Sequence, residues 1–102
     1  MGTFIYGPNT LEVEFDDRLL AHLRAVIVSK LRRSECFLFT WTEEVDETSN
    51  RQRSLWLHPA VAMSFTIESA HALPLNKAWV AALAVAANSN SGLTPRPEPT
   101  DG

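Results

Sequence analysis

Several residue types and motifs are scarce or missing in this chain of 102 residues. It has one cysteine, so no disulfide can form within it, and only two lysines, Lys30 and Lys77. No segment approaches the roughly 18 consecutive apolar residues of a membrane-spanning helix. The first residues lack the charged region and long apolar run of a secretory signal. These absences predict a cytoplasmic protein that contacts no membrane.

The sequence also lacks the signatures of common enzymes. It contains no Gly-x-x-x-x-Gly-Lys-Ser/Thr or Gly-x-Gly-x-x-Gly loop for phosphates and no Gly-x-Ser-x-Gly nucleophile elbow. His22, His58 and His71 stand too far apart for a zinc pair. Cys36 lies in an apolar strand pattern, which is typical of a buried side chain rather than a nucleophile. We therefore expect no catalytic residue, no metal site and no cofactor, and an enzyme is the least favoured interpretation.

The composition is that of a globular protein. Hydrophobic residues make up 45% and charged residues 21% of the chain, and the net charge is −3. Length and composition together predict one small domain, which we place at residues 1–93. Residues 94–102 are rich in proline and glycine and are predicted to be a disordered tail.

Turn signals and hydrophobic patterns divide the domain into seven elements. Helices are predicted at 18–33, capped by Asp16 and Asp17, and from Asn76 onward, with Gly92 in a left-handed position after the second helix. Apolar or alternating runs predict strands at 3–6, 11–15, 35–42, 53–57 and 61–68, and the polar segment 43–50 is predicted to be a loop. The order is β-β-α-β-β-β-α. The predicted fold is a two-layer α+β domain, with a mostly antiparallel five-stranded sheet and both helices on one face.

Charge is distributed unevenly along the chain. Residues 18–34 carry five basic side chains and no acid, and residues 35–50 carry five acids and no base. One interpretation is a phosphate-binding patch, for which the candidates are Arg18, Arg32, Arg33, Arg51 and Arg53. The other, which we favour, is a solvated helix face that the acidic segment balances. The acidic segment lacks the spacing of a calcium-binding loop and is interpreted as a solubilising loop.

Aromatic side chains offer a second candidate surface. Tyr6, Trp41 and Trp56 either fill the core, the more common arrangement, or form an exposed surface on which bases stack. Trp56 differs from the others because its neighbours Leu55 and Leu57 point to the opposite side of the strand. If these leucines face the core, Trp56 is exposed or covered by another chain. Trp56 is therefore the candidate residue of an interaction surface.

Much of the chain resembles a small uncharacterised actinobacterial family of about this length. The resemblance rests on the opening residues 1–7 and on residues 12–24, 30–33, 37–41 and 54–57, and it extends to about residue 89. Members of that family are often labelled ATP-dependent DNA ligase, and the family provides no established catalytic residues. The Lys-x-Asp-Gly motif of adenylation is absent here, and the chain is too short for a nucleotidyltransferase domain. A link to DNA would therefore be that of an accessory module.

Two functions follow from these observations. The first is a non-catalytic binding or interaction module that associates with itself or with a protein partner, with Trp56 on its surface. The alternative is a nucleic-acid-binding accessory domain that uses the arginines named above.

Overall fold

The computed structural model describes residues 1–7, 11–68 and 74–99. The elements are, in chain order, β1 (Gly2–Tyr6), β2 (Leu11–Phe15), α1 (Asp17–Arg32), β3 (Phe37–Asp46), β4 (Ser49–Leu57), β5 (Met63–Thr66) and α2 (Lys77–Ala87). The predicted α+β class and the order of elements are confirmed.

The strands form two antiparallel sheets rather than the single five-stranded sheet that the sequence predicts. One sheet has the order β2-β1-β5, and the other is the hairpin β3-β4. Leu93, which follows α2, occupies the edge of β3: its N–H donates to Leu38 O at 2.8 Å and its O accepts from Thr40 N at 2.9 Å. A strand from the other sheet cannot pair with β3 at this position, because these backbone groups already have a partner.

The strands β3 and β4 of the hairpin extend further than predicted, because the segment 43–50 is not a loop. β3 continues to Asp46, and β4 begins at Ser49. The Asp46 carboxylate holds the turn by accepting from Thr48 N at 2.8 Å and from Ser49 Oγ at 3.0 Å. The backbone N–H of Thr48 is the largest contribution to a lowered pKa of Asp46. The polar residues of this segment pair across the hairpin, as Glu43 does with Arg51, and such pairs stabilise a strand without hydrophobic alternation.

The core lies between the two sheets and the helices. Phe4, Phe39 and Leu57 are almost fully buried, and the rings of Phe4 and Phe39 meet edge to face with centroids 6.2 Å apart. α1 packs on α2 and β1, and α2 also packs on β3. The strand residues that the alternation assigns to the core face, such as Val13 and Phe15, are buried as expected.

Both predicted helix starts are confirmed by their capping bonds. The Asp16 side chain accepts from the N–H groups of Arg18 and Leu19. The Asn76 side chain caps α2 in the same way, accepting from Ala78 and Trp79. These bonds satisfy backbone donors that have no partner inside a helix.

Gly92 has the predicted positive φ, +81°, but a different role from the one predicted. α2 is already capped at Asn88, so Gly92 does not terminate the helix. It instead lets the backbone pass directly against β3. A Cβ atom at residue 92 would overlap Leu38 O and would lie 2.8 Å from Leu38 Cβ.

The described part of the predicted disordered tail, residues 94–99, lies against both helices. The Trp79 indole Nε1 donates to Arg96 O at 2.9 Å. Glu98 binds Arg18 of α1 and, at 3.0 Å, the amide of Asn76. These contacts hold the segment across the N-terminal ends of α1 and α2.

Candidate functional site

Arg18, the first predicted phosphate ligand, is occupied by a carboxylate of the same chain. Its guanidinium forms a bidentate pair with Glu98, with Nε–Oε1 at 2.8 Å and Nη2–Oε2 at 2.6 Å. Nη1 donates to Pro74 O at 3.0 Å. Hydrogen bonds from Arg18 and then from Asn76 lower the pKa of Glu98 to about 2. Arg18 therefore holds residues 94–99 against the domain.

Arg51 and Arg53 lie on β4 and share one carboxylate. Glu43 is 3.0 Å from Arg51 Nη2 and 3.4 Å from Arg53 Nη1, and it also accepts from the Trp41 indole at 2.9 Å. The Arg53 guanidinium lies 5.7 Å from the centroid of the Trp41 ring. The hydrogen bond from Trp41, followed by that from Arg51, lowers the pKa of Glu43. This network offsets the charge of both arginines.

Arg32 and Arg33, the remaining two predicted arginines, lie together at the end of α1. Arg24, which was not among the predicted residues, lies beside them. Arg24, Arg32 and Arg33 line a shallow, open groove of about 650 Å³, whose other lining residues are Ala25, Val28 and Ser29. We call it the arginine groove. Within the described residues, Arg24 and Arg32 have no ion pair, whereas Arg33 lies 3.5 Å from Glu35. The spacing of eight residues between Arg24 and Arg32, which places both on one helix side, could have identified Arg24.

Two polar residues of α1 are buried in the structure. His22 is fully buried: Nε2 accepts from Asn76 N at 2.8 Å, and Nδ1 lies 2.7 Å from Arg18 O. Lys30, which the helical pattern places in the apolar stripe, is 6% exposed and binds Asn88 Oδ1 at 2.5 Å and Glu35 at 2.8 Å. Both side chains connect α1 to later parts of the chain.

Among the described residues, the other candidate ligands and nucleophiles do not form a reactive cluster. His58 Nδ1 accepts from Ala60 N at 3.0 Å, Cys36 is half-buried, and His71 lies outside the described residues. Across residues 1–7, 11–68 and 74–99, no three His, Cys, Asp or Glu side chains are grouped so as to hold a metal ion. In the same ranges, no helix is both long and apolar enough to cross a membrane.

Trp56 is exposed, and the leucines beside it face the core. Its side chain is 60% exposed, whereas Leu57 is fully buried and Leu55 half-buried. Tyr6 and Trp41 do not join Trp56 in a stacking surface. Trp41 is buried, and the Tyr6 hydroxyl donates to Trp56 O at 2.9 Å and accepts from His58 N at 3.1 Å.

The backbone of β4 beside Trp56 forms an open strand edge. Leu38 and Thr40 of β3 direct their backbone groups toward Leu93, away from β4. In the register of the hairpin, Leu38 lies opposite Trp56 and Thr40 opposite Ser54, and neither pair exchanges backbone hydrogen bonds. Trp56, Ser54 and Gln52 consequently direct their own backbone groups away from β3. Tyr6 uses the carbonyl of Trp56, but Ser54 and Gln52 have no backbone partner on this side within the described residues. We call this side the open edge of β4, and the surface of the hairpin that carries Trp56 the outer face.

Comparison with known proteins identifies a family but no activity. The sequence model of a family described as Domain of unknown function (DUF7882) matches residues 1–98. The searches of curated proteins and of solved structures return no significant match.

Proposed function

This chain belongs to the family described as Domain of unknown function (DUF7882), and from its surface we propose that it is a non-catalytic interaction module that associates with a second copy of itself. Trp56 carries this proposal, because 60% of a large aromatic side chain is left in water. Complete coverage of that fraction would remove roughly 150 Å² from solvent, so the favourable contribution is at most about 3–4 kcal/mol per copy. The one cysteine, Cys36, is free, which suits the cytoplasmic location that we propose.

The open edge of β4 supports a second copy as the partner. An unpaired strand edge presents N–H and C=O groups that another strand can complete. Two copies of β4 can pair antiparallel about a two-fold axis, since each offers the same groups at Gln52 and Ser54. If the two-fold axis is perpendicular to the sheet, the outer faces of both copies lie on the same side of it. The two hairpins then form one four-stranded sheet with both Trp56 side chains on the same surface.

The oligomeric state tests this proposal directly. Size-exclusion chromatography with light scattering at about 100 μM populates complexes of micromolar Kd, and we expect the mass of a dimer that dissociates on dilution. Trp56→Thr keeps a residue that favours strands but removes the indole, and it should leave the protein monomeric. Val85→Thr on α2 is the matched control, because Val85 is 72% exposed and lies on a helix. A monomeric wild type at this concentration, or a Trp56→Thr variant that associates as strongly, contradicts the proposal.

The second candidate function is that of a nucleic-acid-binding accessory domain, which Arg24 and Arg32 support because neither has an ion pair among the described residues. The resemblance to the actinobacterial family labelled ATP-dependent DNA ligase points in the same direction. Of the five arginines in the predicted patch, Arg18, Arg51 and Arg53 are paired with carboxylates, so the arginine groove is the surface that remains for phosphate.

Fluorescence anisotropy with nicked duplex and single-stranded DNA at low salt tests this candidate. Arg24→Ala with Arg32→Ala should weaken binding and reduce its salt dependence, because each phosphate contact releases counterions. Arg51→Ala is the control, since Glu43 already offsets that charge. Absence of binding, or binding that the groove variant leaves unchanged, excludes this role. Incubation with labelled ATP and magnesium addresses the ligase label, and a protein-linked adenylate would refute a non-catalytic module.

A further inference from the structure

The turn end of the hairpin is acidic and carries an exposed valine. We call residues 44–47 the hairpin tip. Glu44 and Glu47 are exposed and have no ion pair within the described residues, and Val45 is 55% exposed. Asp46 belongs to the turn and is already engaged by Thr48 and Ser49. The tip is therefore a narrow projection with one apolar side chain between two free carboxylates.

The arginine groove has the same arrangement with the opposite charge. Val28, 38% exposed, lies in the groove between Arg24 and Arg32, which are four residues before and after it and have no ion pair among the described residues. Arg33 lies at one end, where its Nε is 3.5 Å from Glu35 Oε2 and donates to Ser29 O at 3.4 Å. An open basic surface with an apolar centre is complementary in charge to a projecting acidic tip with an exposed valine.

Antiparallel pairing of β4 with its copy would place the tip of each hairpin beside the base of the other, because the paired strands run in opposite directions. The base is formed by Phe37 and Leu57, which are directly paired. Phe37 follows closely after Arg33 in the chain, so the base adjoins the end of α1 at which Arg32 and Arg33 lie.

The outer face alone is too small for a stable interface. Trp56 contributes roughly 150 Å² of the approximately 800 Å² per partner that such interfaces bury. Its strand neighbours Ser54 and Gln52 have small or polar side chains. We propose that in the dimer the hairpin tip of each copy docks into the arginine groove of the other, an inference that rests on the proposed self-association. Two-fold symmetry makes the contact twice.

Reciprocal charge reversal tests the contact. The groove variant, Arg24→Glu with Arg32→Glu, and the tip variant, Glu44→Arg with Glu47→Arg, each place like charges together in their own dimers. Each variant alone should dimerise at least about tenfold more weakly than the wild type. In a mixture, the acidic tip of the groove variant meets a basic groove, and the basic tip of the tip variant meets an acidic groove. A heterodimer should therefore form from two weakly associating proteins, and light scattering of the mixture measures it.

Matched controls carry the same charge changes elsewhere. Lys77→Glu with Arg96→Glu and Glu12→Arg with Glu14→Arg reverse exposed charges outside both surfaces, and both should dimerise as the wild type does. Circular dichroism verifies that every variant is folded.

The outcomes separate the contact from the proposed function. A monomeric wild type overturns both. If the charge variants dimerise normally but Trp56→Thr does not, the docking of the hairpin tip into the arginine groove is overturned, and the proposed self-association still holds. A mixture without heterodimer also overturns the contact. A groove variant that loses binding to DNA but keeps its dimer mass assigns the groove to nucleic acid instead.

Discussion

Gly92→Ala is expected to destabilise the domain strongly, because residue 92 combines a left-handed backbone with direct contact to β3. A left-handed conformation costs an L-residue about 1–2 kcal/mol. The new Cβ would also overlap Leu38 O, a backbone atom that cannot rotate away. The chain must then shift and weaken the two backbone bonds of Leu93, worth about 1 kcal/mol each, and expose part of a fully buried leucine. We expect a loss of about 4 kcal/mol in the free energy of unfolding.

Urea and thermal denaturation followed by circular dichroism measure this loss. For a domain of this size, about 4 kcal/mol lowers Tm by roughly 15–30 °C. Ser91→Ala is the control, because Ser91 is exposed and adjacent to Gly92, and it should change stability by less than about 0.5 kcal/mol. A Gly92→Ala variant within about 1 kcal/mol of the wild type would refute the reasoning that the close approach to Leu38 requires glycine.

Three further predictions concern charge and local backbone conformation. The pKa of Glu98 is lowered from 4.5 to about 2, so its contribution to stability is complete above pH 4.5 and is lost as the pH falls toward 2. In an NMR titration, the indole N–H resonance of Trp79 should shift over the same pH range. In the variant Glu98→Gln, this resonance should be displaced already at neutral pH. Lys30→Ala removes a buried side chain together with its hydrogen bond to Asn88 and its pair with the partly exposed Glu35, and urea denaturation should show a loss of about 1–2 kcal/mol. No loss would mean that these contacts are dispensable. Ser34 has a φ of +60°, a left-handed conformation that glycine adopts more easily than serine. Ser34→Gly should therefore increase the free energy of unfolding by about 0.5–1 kcal/mol and raise Tm, and a lower Tm would contradict this.

Patterns that repeat along the chain predicted much of the fold. The strict alternation of 11–15 gave the bounds of β2, and the side chains of Asp16 and Asn76 marked both helix starts. These signals are local, since strand alternation and capping involve residues within a few positions of each other.

Features that depend on distant residues were not predictable in this way. Arg18 is neutralised by Glu98, 80 positions later, so a sequence count of basic residues overstated the patch. Lys30 is buried because Asn88, 58 positions away, accepts its ammonium. The distal half of the hairpin lacks apolar alternation and is held by pairs such as Glu43 with Arg51, which become visible only once the register is known.

The exposure of Trp56 was predicted by a conditional argument. Adjacent residues of a strand point to opposite faces, so burial of Leu57 required Trp56 to point outward. The sequence did not show that Leu93 pairs with β3. Because of this pairing, the open edge of the hairpin belongs to β4. The spacing of Arg24 and Arg32 was visible in the sequence, but the structure was needed to show that Arg18, Arg51 and Arg53 are paired with carboxylates.

Occupation of the β3 edge by Leu93 has a consequence for how far association can proceed. A hairpin with both edges free can add a further copy at each edge and propagate into a fibre. In this hairpin, Leu93 already bonds the backbone of β3 at Leu38 and Thr40, so only the edge of β4 can accept another strand there. In the proposed dimer, pairing through β4 would use that side and end growth at two copies. Release of Leu93 would then free the edge of β3 and allow further copies to add.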